Sequence, residues 1–189
     1  MSDLTQNQKR RADRGCPWYW LLISLAGVLL DQVSKWLTVA FLTDGVSVNV
    51  IPGVFRFTYV ENRGAAFGML DEHRWVFMVI STLAIVGLLI YLWKFAPPSR
   101  WVGCALSLVI SGGIGNMIDR VRLGYVIDML DFCAFPKLWP WVFNVADSFV
   151  CVGGGILFVW CVVMIFKEEK NKKNKTAEDS ETAEDSSES

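Results

Sequence analysis

Four long apolar segments dominate the pattern of hydrophobic and polar positions along the chain. They cover residues 18–40, 75–95, 101–118 and 141–166. A helix needs about 20 mainly apolar residues to cross the hydrocarbon core of a bilayer. Trp or Tyr lies near the ends of these segments, as is typical of helices anchored at the membrane interface. The pattern predicts an all-α membrane protein with four transmembrane helices.

The composition agrees with the bilayer as solvent. Apolar residues make up 53% of the 189 residues, and the mean hydropathy is +0.36, whereas soluble domains average roughly 45 to 50% apolar residues. The first segment resembles a cleaved secretory signal, because basic residues precede it and Ser24-Leu25-Ala26 has a small-x-small pattern. However, the stretch before Ala26 is short for a signal peptide core and the apolar run continues to Leu30. We therefore expect this segment to remain in the protein.

The distribution of Lys and Arg predicts the orientation. Basic residues flank the first segment on its N-terminal side, lie between the second and third segments, and follow the fourth. Because such residues resist translocation, both termini are predicted to be cytoplasmic. The chain then divides into an N-terminal tail (1–16), a membrane domain (17–166) with outer loops 42–74 and 119–140, and a C-terminal tail (167–189). The last contains a repeated TAEDS sequence and is predicted to be disordered from its charge-rich composition.

The first outer loop has the alternation of a β-hairpin. Residues 46–51 and 54–59 alternate β-branched or aromatic with polar side chains around Pro52 and Gly53. The pattern predicts a small extracytoplasmic sheet. The following ENRGAAFG sequence (61–68) combines a polar step with small residues, which is typical of a segment that dips into the membrane face.

Ionisable residues occur inside the first apolar segment. Asp31 and Lys35 are four residues apart and share a helix face. Each charge costs about 2.5 to 3.5 kcal/mol on insertion scales, which makes such residues candidates for function. An ion pair that fixes the first helix to its neighbours is at least as good an interpretation as direct catalysis.

Asn, Asp and Arg side chains gather at the predicted outer ends of the third and fourth segments. Gly112, Gly113 and Gly115 allow close helix packing just before the polar residues. These are Asn116, Asp119, Arg120, Asp128, Asp131, Asn144 and Asp147. Two carboxylates at a partly desolvated site divide into an acid and a base, which is suited to hydrolysis through an activated water. The alternative is that the carboxylates only pair with Arg120 and Arg122 to join helix ends.

Four blocks of these residues closely resemble lipoprotein signal peptidase, the bacterial signal peptidase II family of aspartyl peptidases. They are DQVSK from Asp31, FTYVENRGAAF (57–67), GGIGNMIDR (112–120) continuing into GYVID, and FNVADS (143–148). The blocks span most of the chain, and together they are specific.

The resemblance implies a four-helix peptidase with an external β-cradle that cleaves diacylglyceryl-modified prolipoproteins before the lipidated cysteine. The implied catalytic pair is Asp128 and Asp147. The residues implied to hold the substrate or the pair are Asn62, Asn116, Arg120 and Asn144, with Asp31, Lys35 and Asp119 in supporting roles. The family usually has Phe after its first catalytic Asp, whereas Met129 follows Asp128 here and Phe132 follows Asp131, so Asp131 is the alternative to Asp128.

The resemblance also implies partners and a location. It implies no metal or other cofactor, inhibition by globomycin, and a bacterial inner-membrane enzyme with its active site at the outer leaflet, in contact with membrane lipids and without a nucleic-acid partner. The single histidine, His73, and five cysteines without CxxC spacing are consistent with that expectation, because they offer no ligand cluster.

Two other functions fit parts of the pattern less well. A metal-dependent lipid transferase would bind Mg²⁺ through Asp119, Asp128 and Asp131. A small solute carrier would use Asp31 and Lys35 in its pathway, but the apolar part of the chain shows no internal repeat.

Overall fold

The described part of the protein consists of four helices and a small sheet. The computed structural model describes residues 18–43, 45–64, 74–95, 97–134 and 141–185. The helices are α1 (Tyr19–Leu42), α2 (Arg74–Lys94), α3 (Arg100–Arg122) and α4 (Val145–Asp185), and the strands are β1 (Val48–Ile51), β2 (Phe55–Asn62), β3 (Val126–Asp131) and β4 (Val142–Phe143). His73, Cys16 and the second half of the ENRGAAFG segment (65–68) lie outside the described residues.

Three of the helices are long and apolar enough to cross a membrane. They are α1, α3 and the part of α4 that covers Val145–Asn174. In α2 the apolar part within the described residues, Met78–Lys94, is shorter. The structure is therefore that of a mostly helical membrane protein in which, within the described residues, three helices meet the length and apolarity of a span.

The C-terminal end of α3 and the N-terminal end of α4 differ from the boundaries predicted from hydropathy. α3 continues past residue 118 to Arg122, so that Asp119 and Arg120 are helical and the following loop begins later than residue 119. The backbone N–H of Leu123 closes this end by donating to Asp119 O at 2.7 Å. Hydropathy missed this turn because it is polar, although Asp119 is buried against Lys35 and the backbone of Ile127. At the other boundary, α4 begins at Val145 and Asn144 precedes it.

The sheet is antiparallel, with strand order β1-β2-β3-β4. The predicted hairpin is confirmed as β1 and β2, and Gly53 in its turn has a φ of 73°, which glycine adopts without steric strain. β3 adds to the other edge of β2, pairing Asp128 with Val60 and Asp131 with Arg56. Neither β3 nor β4 is predicted by the sequence pattern.

Small residues allow α1, α3 and α4 to approach closely. A Cβ atom on Gly112 would collide with the backbone oxygen of Ala146, and one on Gly115 would collide with Oδ2 of Asp31. Ser111 Oγ donates to Ser24 O at 3.0 Å between α3 and α1. The close packing predicted from the glycines is confirmed, and it brings the polar residues of three helices together.

The helices have an apolar core away from the polar residues. It contains Trp20, Leu92, Val102, Leu106 and Ile110. These residues come from the start of α1, the end of α2 and the first half of α3. The apolar core therefore holds the helices together at one end of the bundle, while Asp31, Lys35 and Asn116 lie at the other end.

The C-terminal segment is helical, in contrast to the predicted disorder. α4 runs without interruption through Lys167 to Asp185. Glu, Lys and Ala favour helices, and a helix that already exists extends more easily than a new one is nucleated. The low hydrophobicity that suggested disorder therefore excludes a packed core but not an extension of a membrane helix.

Candidate active site

Two carboxylates from different elements lie on either side of one asparagine. Asp128 belongs to β3, with 2% of its surface exposed, and Asp147 lies in the first turn of α4. Asn144 Nδ2 donates to Asp128 Oδ1 at 2.6 Å, and the Asn144 backbone N–H donates to Asp147 Oδ2 at 3.3 Å. A second amide, Asn62 Nδ2 at the end of β2, donates to Asp128 Oδ2 at 2.9 Å. Both oxygens of Asp128 are thus held in place.

The start of α4 positions Asp147. Asn144 Oδ1 accepts the backbone N–H of Asp147 at 2.8 Å, while Asp147 accepts the backbone N–H of Asn144. This reciprocal arrangement is a capping box, which satisfies N–H groups that the helix cannot bond itself. The first turn of a helix also favours a negative charge through the helix dipole. The carboxylate of Asp147 is consequently part of the structure that begins the helix.

Asn116 connects Asp147 to a buried lysine. Its Nδ2 donates to Asp147 Oδ1 at 2.7 Å. Its Oδ1 accepts from Lys35 Nζ at 3.0 Å and from Asn144 Nδ2 at 3.1 Å. A chain of hydrogen bonds therefore runs from α1 through α3 to both carboxylates.

Lys35 lies between two carboxylates that support neighbouring elements. Its Nζ is 3.0 Å from Asp31 Oδ2 and 2.9 Å from Asp119 Oδ2, and all three side chains are almost fully buried. Asp31 Oδ1 accepts the backbone N–H of Ala146 at 2.9 Å, and Asp119 Oδ2 accepts that of Ile127 at 3.2 Å. The cluster thus holds the start of α4 and the strand that carries Asp128.

Gln32 is a member of this cluster to which the sequence interpretation gave no role. Its Nε2 lies within hydrogen-bond distance of Asp31 Oδ2 (3.1 Å), Gly115 O (3.2 Å) and Asp119 Oδ1 (3.2 Å). Its position next to Asp31 in the DQVSK block was the available signal. Because uncharged polar residues occur on many helix surfaces, that signal did not distinguish it.

Arg120 lies beside the carboxylates without bonding them directly. Its Nη1 donates to the backbone oxygen of Asn116 at 3.4 Å, and its charge acts on Asp147, Asp128 and Asp119. Within the part of the chain that the structure describes, Arg120 forms no salt bridge with them. Its guanidinium therefore contributes positive potential to the site and retains donors for another molecule.

Asp131 is separated from this group of residues. It lies three positions along β3 from Asp128, so that the two side chains point to opposite faces of the strand. Its Oδ2 is 2.6 Å from Arg56 Nε, in a pair whose side chains are 13% and 44% exposed. The geometry brings Asp128, and not Asp131, to Asp147.

Burial perturbs the ionisation of Asp128. Desolvation, the largest cause, and the nearby charge of Asp147 together raise the pKa of Asp128 to about 7, against the opposing hydrogen bonds from Asn62 and Asn144 and the charge of Lys35. A carboxyl group in this range exchanges a proton near neutral pH. The site therefore has a candidate general acid.

Sequence comparison places these residues in a family. The family model for signal peptidase (SPase) II matches residues 23–164. The chain belongs to the signal peptidase II family. It is 40% identical over 158 residues to a lipoprotein signal peptidase of Halalkalibacterium halodurans, covering 84% of this chain and 99% of that one. It is 42% identical over 153 residues to that of Clostridioides difficile, covering 81% and 99%.

Solved structures agree with this assignment. A bacterial membrane enzyme determined at 2.3 Å by the in meso method has a TM-score of 0.70 and 32% identity, covering 77% of this chain and 88% of the other. A second such enzyme, at 1.9 Å, has a TM-score of 0.67. The protein is therefore a membrane-embedded peptidase of the signal peptidase II family, and its site residues from Asp31 to Asp147 lie within the matched region.

Membership of this family argues against the transferase and the carrier. The three carboxylates considered for Mg²⁺ have different partners, since Asp119 is paired with Lys35 and Asp131 with Arg56. Among the described residues they do not form one acidic cluster. The pair of Asp31 and Lys35 is closed by Asp119, which explains its presence in a membrane helix structurally.

Proposed function

We propose that this protein is an intramembrane aspartyl endopeptidase that removes signal peptides from diacylglyceryl-modified prolipoproteins by cleaving before the lipidated cysteine. The observation that carries the proposal is the pairing of Asp128 and Asp147 through Asn144. The curated relatives, named lipoprotein signal peptidases, supply the substrate class.

In the proposed reaction the two carboxylates have different roles. Asp147, which accepts N–H groups from Asn116 and Asn144 at a helix N-terminus, is the general base, because these donors stabilise a carboxylate. Asp128, with its pKa of about 7, is the general acid. Asp147 takes a proton from a water whose oxygen attacks the scissile carbonyl carbon, while Asp128 gives its proton to the carbonyl oxygen.

The second half of the reaction exchanges the roles. Asp128 takes back the proton of a hydroxyl of the tetrahedral intermediate as the carbonyl re-forms and the C–N bond breaks. Asp147 gives its proton to the departing amine, so both carboxyl groups return to their starting states. The remaining polar residues, Asn62 and Arg120, lie beside the pair and are proposed to hold the substrate backbone.

The proposed location is the bacterial inner membrane, with both termini in the cytoplasm and the site at the outer leaflet. The basic residues that flank the apolar segments support this orientation. We propose that α2 also crosses, because its 21 residues extend about 31 Å at 1.5 Å per residue, close to the thickness of the hydrocarbon core. The sheet is then extracytoplasmic, and the tails 1–16 and 167–189 are cytoplasmic.

The test is cleavage of a synthetic lipobox peptide by the purified protein. We expect cleavage before the cysteine when it carries a diacylglyceryl group, little cleavage of the unmodified peptide, and inhibition by globomycin. Asp147→Asn should remain folded and lose activity, whereas Asp131→Asn, a matched change outside the site, should remain active. Equal turnover of the lipidated and unmodified peptides would contradict the proposed substrate.

The same assay separates this mechanism from a metal-dependent one. Both proposed reacting groups are side-chain carboxyls, so turnover should survive EDTA. Loss of turnover on chelation with recovery on addition of Mg²⁺ would refute the aspartyl mechanism.

A further inference from the structure

We propose that Lys35 is a positioning residue for this reaction, because its buried ammonium fixes the orientation of the Asn116 side-chain amide and thereby directs an N–H group at Asp147. The inference rests on the proposed function, in which Asp147 is the general base. It assigns to Lys35 an effect on the reaction that an ion pair joining helices would not have.

The two ends of the Asn116 side-chain amide face groups of opposite charge. A lysine ammonium only donates hydrogen bonds, so the atom of Asn116 that lies 3.0 Å from Lys35 Nζ is the oxygen. The nitrogen is then on the other side of the amide plane, where it donates to Asp147 Oδ1 at 2.7 Å. An amide rotated by 180° would place its nitrogen against the ammonium and its oxygen against the carboxylate. Both contacts would be repulsive.

A second donor supports the same orientation. Asn144 uses its Oδ1 to accept the backbone N–H of Asp147, which leaves its Nδ2 for Asn116 Oδ1 and Asp128. The direction of the whole chain is therefore set by two groups that only donate, the ammonium of Lys35 and the backbone N–H of Asp147. Lys35 is the one that orients Asn116 from outside the catalytic pair.

The ammonium has little freedom to move. Asp31 and Asp119 hold it at 3.0 and 2.9 Å, and Lys35 itself is 2% exposed. A Cβ on Gly115 would collide with the Asp31 carboxylate, so that the tight approach of α3 also fixes one of its anchors. Lys35 is therefore held where it can orient Asn116 before substrate binds.

Removal of the ammonium should alter the acidic side of the pH–rate profile. Without the ammonium, Asn144 Nδ2 is the donor that still holds the amide oxygen of Asn116, so the rotated amide becomes more accessible. Its oxygen then faces Asp147, which disfavours the ionised base that the reaction needs. Three charged or titratable groups act on the Asp147 carboxyl. They are Lys35 on α1, Arg120 on α3 and Asp128 on β3. The direct charge effect of Lys35 must therefore be separated from its effect through Asn116.

A double-mutant cycle separates the two effects. The profile of kcat/KM against pH is measured with the lipidated peptide for the full-length wild type, Lys35→Met, Asn116→Ala and the double variant. We expect Lys35→Met to move the acidic limb upward by about one pH unit, and by less than half as much when Asn116 is already Ala. Equal or larger shifts in the Asn116→Ala protein would overturn the proposal, because Lys35 would then act directly by its charge.

The shape of the profile also distinguishes positioning from a structural role. A lysine that only stabilises the fold would lower the melting temperature and the amount of active enzyme but leave the acidic limb in place. An unshifted limb in Lys35→Met would therefore overturn the proposal. If Asp147→Asn proves active, the proposed base is wrong, and this outcome is separate from either result of the cycle.

A second variant protects the test against misfolding. Lys35→Gln is one bond shorter than lysine and neutral, so its amide can bond Asp31 without reaching Asn116. Asp31 and Asp119 also keep donors from Gln32 and from the backbone of Ala146 and Ile127. We expect Lys35→Gln to shift the acidic limb as Lys35→Met does, with a smaller loss of stability. A wild-type limb in Lys35→Gln would overturn the proposal.

Discussion

Replacing Asp128 and Asp131 separately by Asn gives the sharpest test of the proposed catalytic pair. Both residues lie on β3, three positions apart, and both changes preserve the size of the side chain while removing the carboxyl. Asp128 is buried and accepts N–H groups from Asn62 and Asn144, whereas Asp131 is paired with Arg56. Each variant is thus a control for the other.

The two changes should have effects of different size on the catalytic rate and on the stability of the fold. Asp128→Asn removes the proposed proton donor, so the rate should fall by a factor of about 100 to 10,000. The NH₂ group of the new side chain would also face the amide N–H of either Asn62 or Asn144, which both donate to Asp128 in the wild type. This unpaired contact should cost about 1 to 3 kcal/mol of stability. Asp131→Asn breaks only a partly exposed ion pair, worth about 0 to 1 kcal/mol, and the rate should remain near that of the wild type.

The assay is turnover of the lipidated peptide by the purified variants at saturating substrate. Thermal melting and size-exclusion chromatography establish that each protein is folded, since a lost rate has meaning only for folded enzyme. An active Asp128→Asn together with an inactive Asp131→Asn would show that the assignment is wrong and that Asp131 acts with Asp147. Activity in both single variants would refute a carboxyl donor on β3.

Three further predictions use other parts of the structure. Because the pKa of Asp128 is raised to about 7, its carboxyl holds a proton in the native state that it loses near pH 4 in the unfolded state. Stability should therefore fall as pH rises from about 4 to about 7. Melting temperatures measured across this range should show the fall, and Asp128→Asn should make the fall smaller. Gly115→Ala should lower stability by about 1 to 3 kcal/mol, because its Cβ would displace Asp31, whereas Gly154→Ala, with open space around it, should not. Truncation before Thr176 should leave kcat/KM unchanged, because that position is roughly 45 Å along α4 from its first turn; a large loss would contradict the proposed separation.

Much of the architecture could be predicted from local sequence. Apolar runs of sufficient length predicted the helices because lipid requires every backbone group to be bonded within its own segment. Alternation around Pro52 and Gly53 predicted the hairpin, and the glycines of α3 predicted close packing. These features depend on residues that are neighbours in the chain, so that the pattern carries the information directly.

The ends of the elements depended on tertiary contacts. Asp119 and Arg120 extend α3 beyond its apolar part because their side chains meet protein groups, Lys35 among them, rather than hydrocarbon. The helical tail after Lys167 was missed for a different reason, since a charge-rich composition excludes a core without excluding the continuation of a helix.

The sequence by itself determined which polar residues this protein brings into a membrane, and the resemblance of its motifs predicted which of them form the site. It left Asp128 and Asp131 as alternatives, because three positions separate them and only the pairing of β3 with β2 decides which face each one occupies. It also assigned Lys35 a supporting role without showing which side chains Lys35 contacts. The tertiary structure places Asp128 rather than Asp131 beside Asn62 and places the Asn116 amide between Lys35 and Asp147, since the facing of a strand and the orientation of an amide depend on partners more than 60 residues away in the chain.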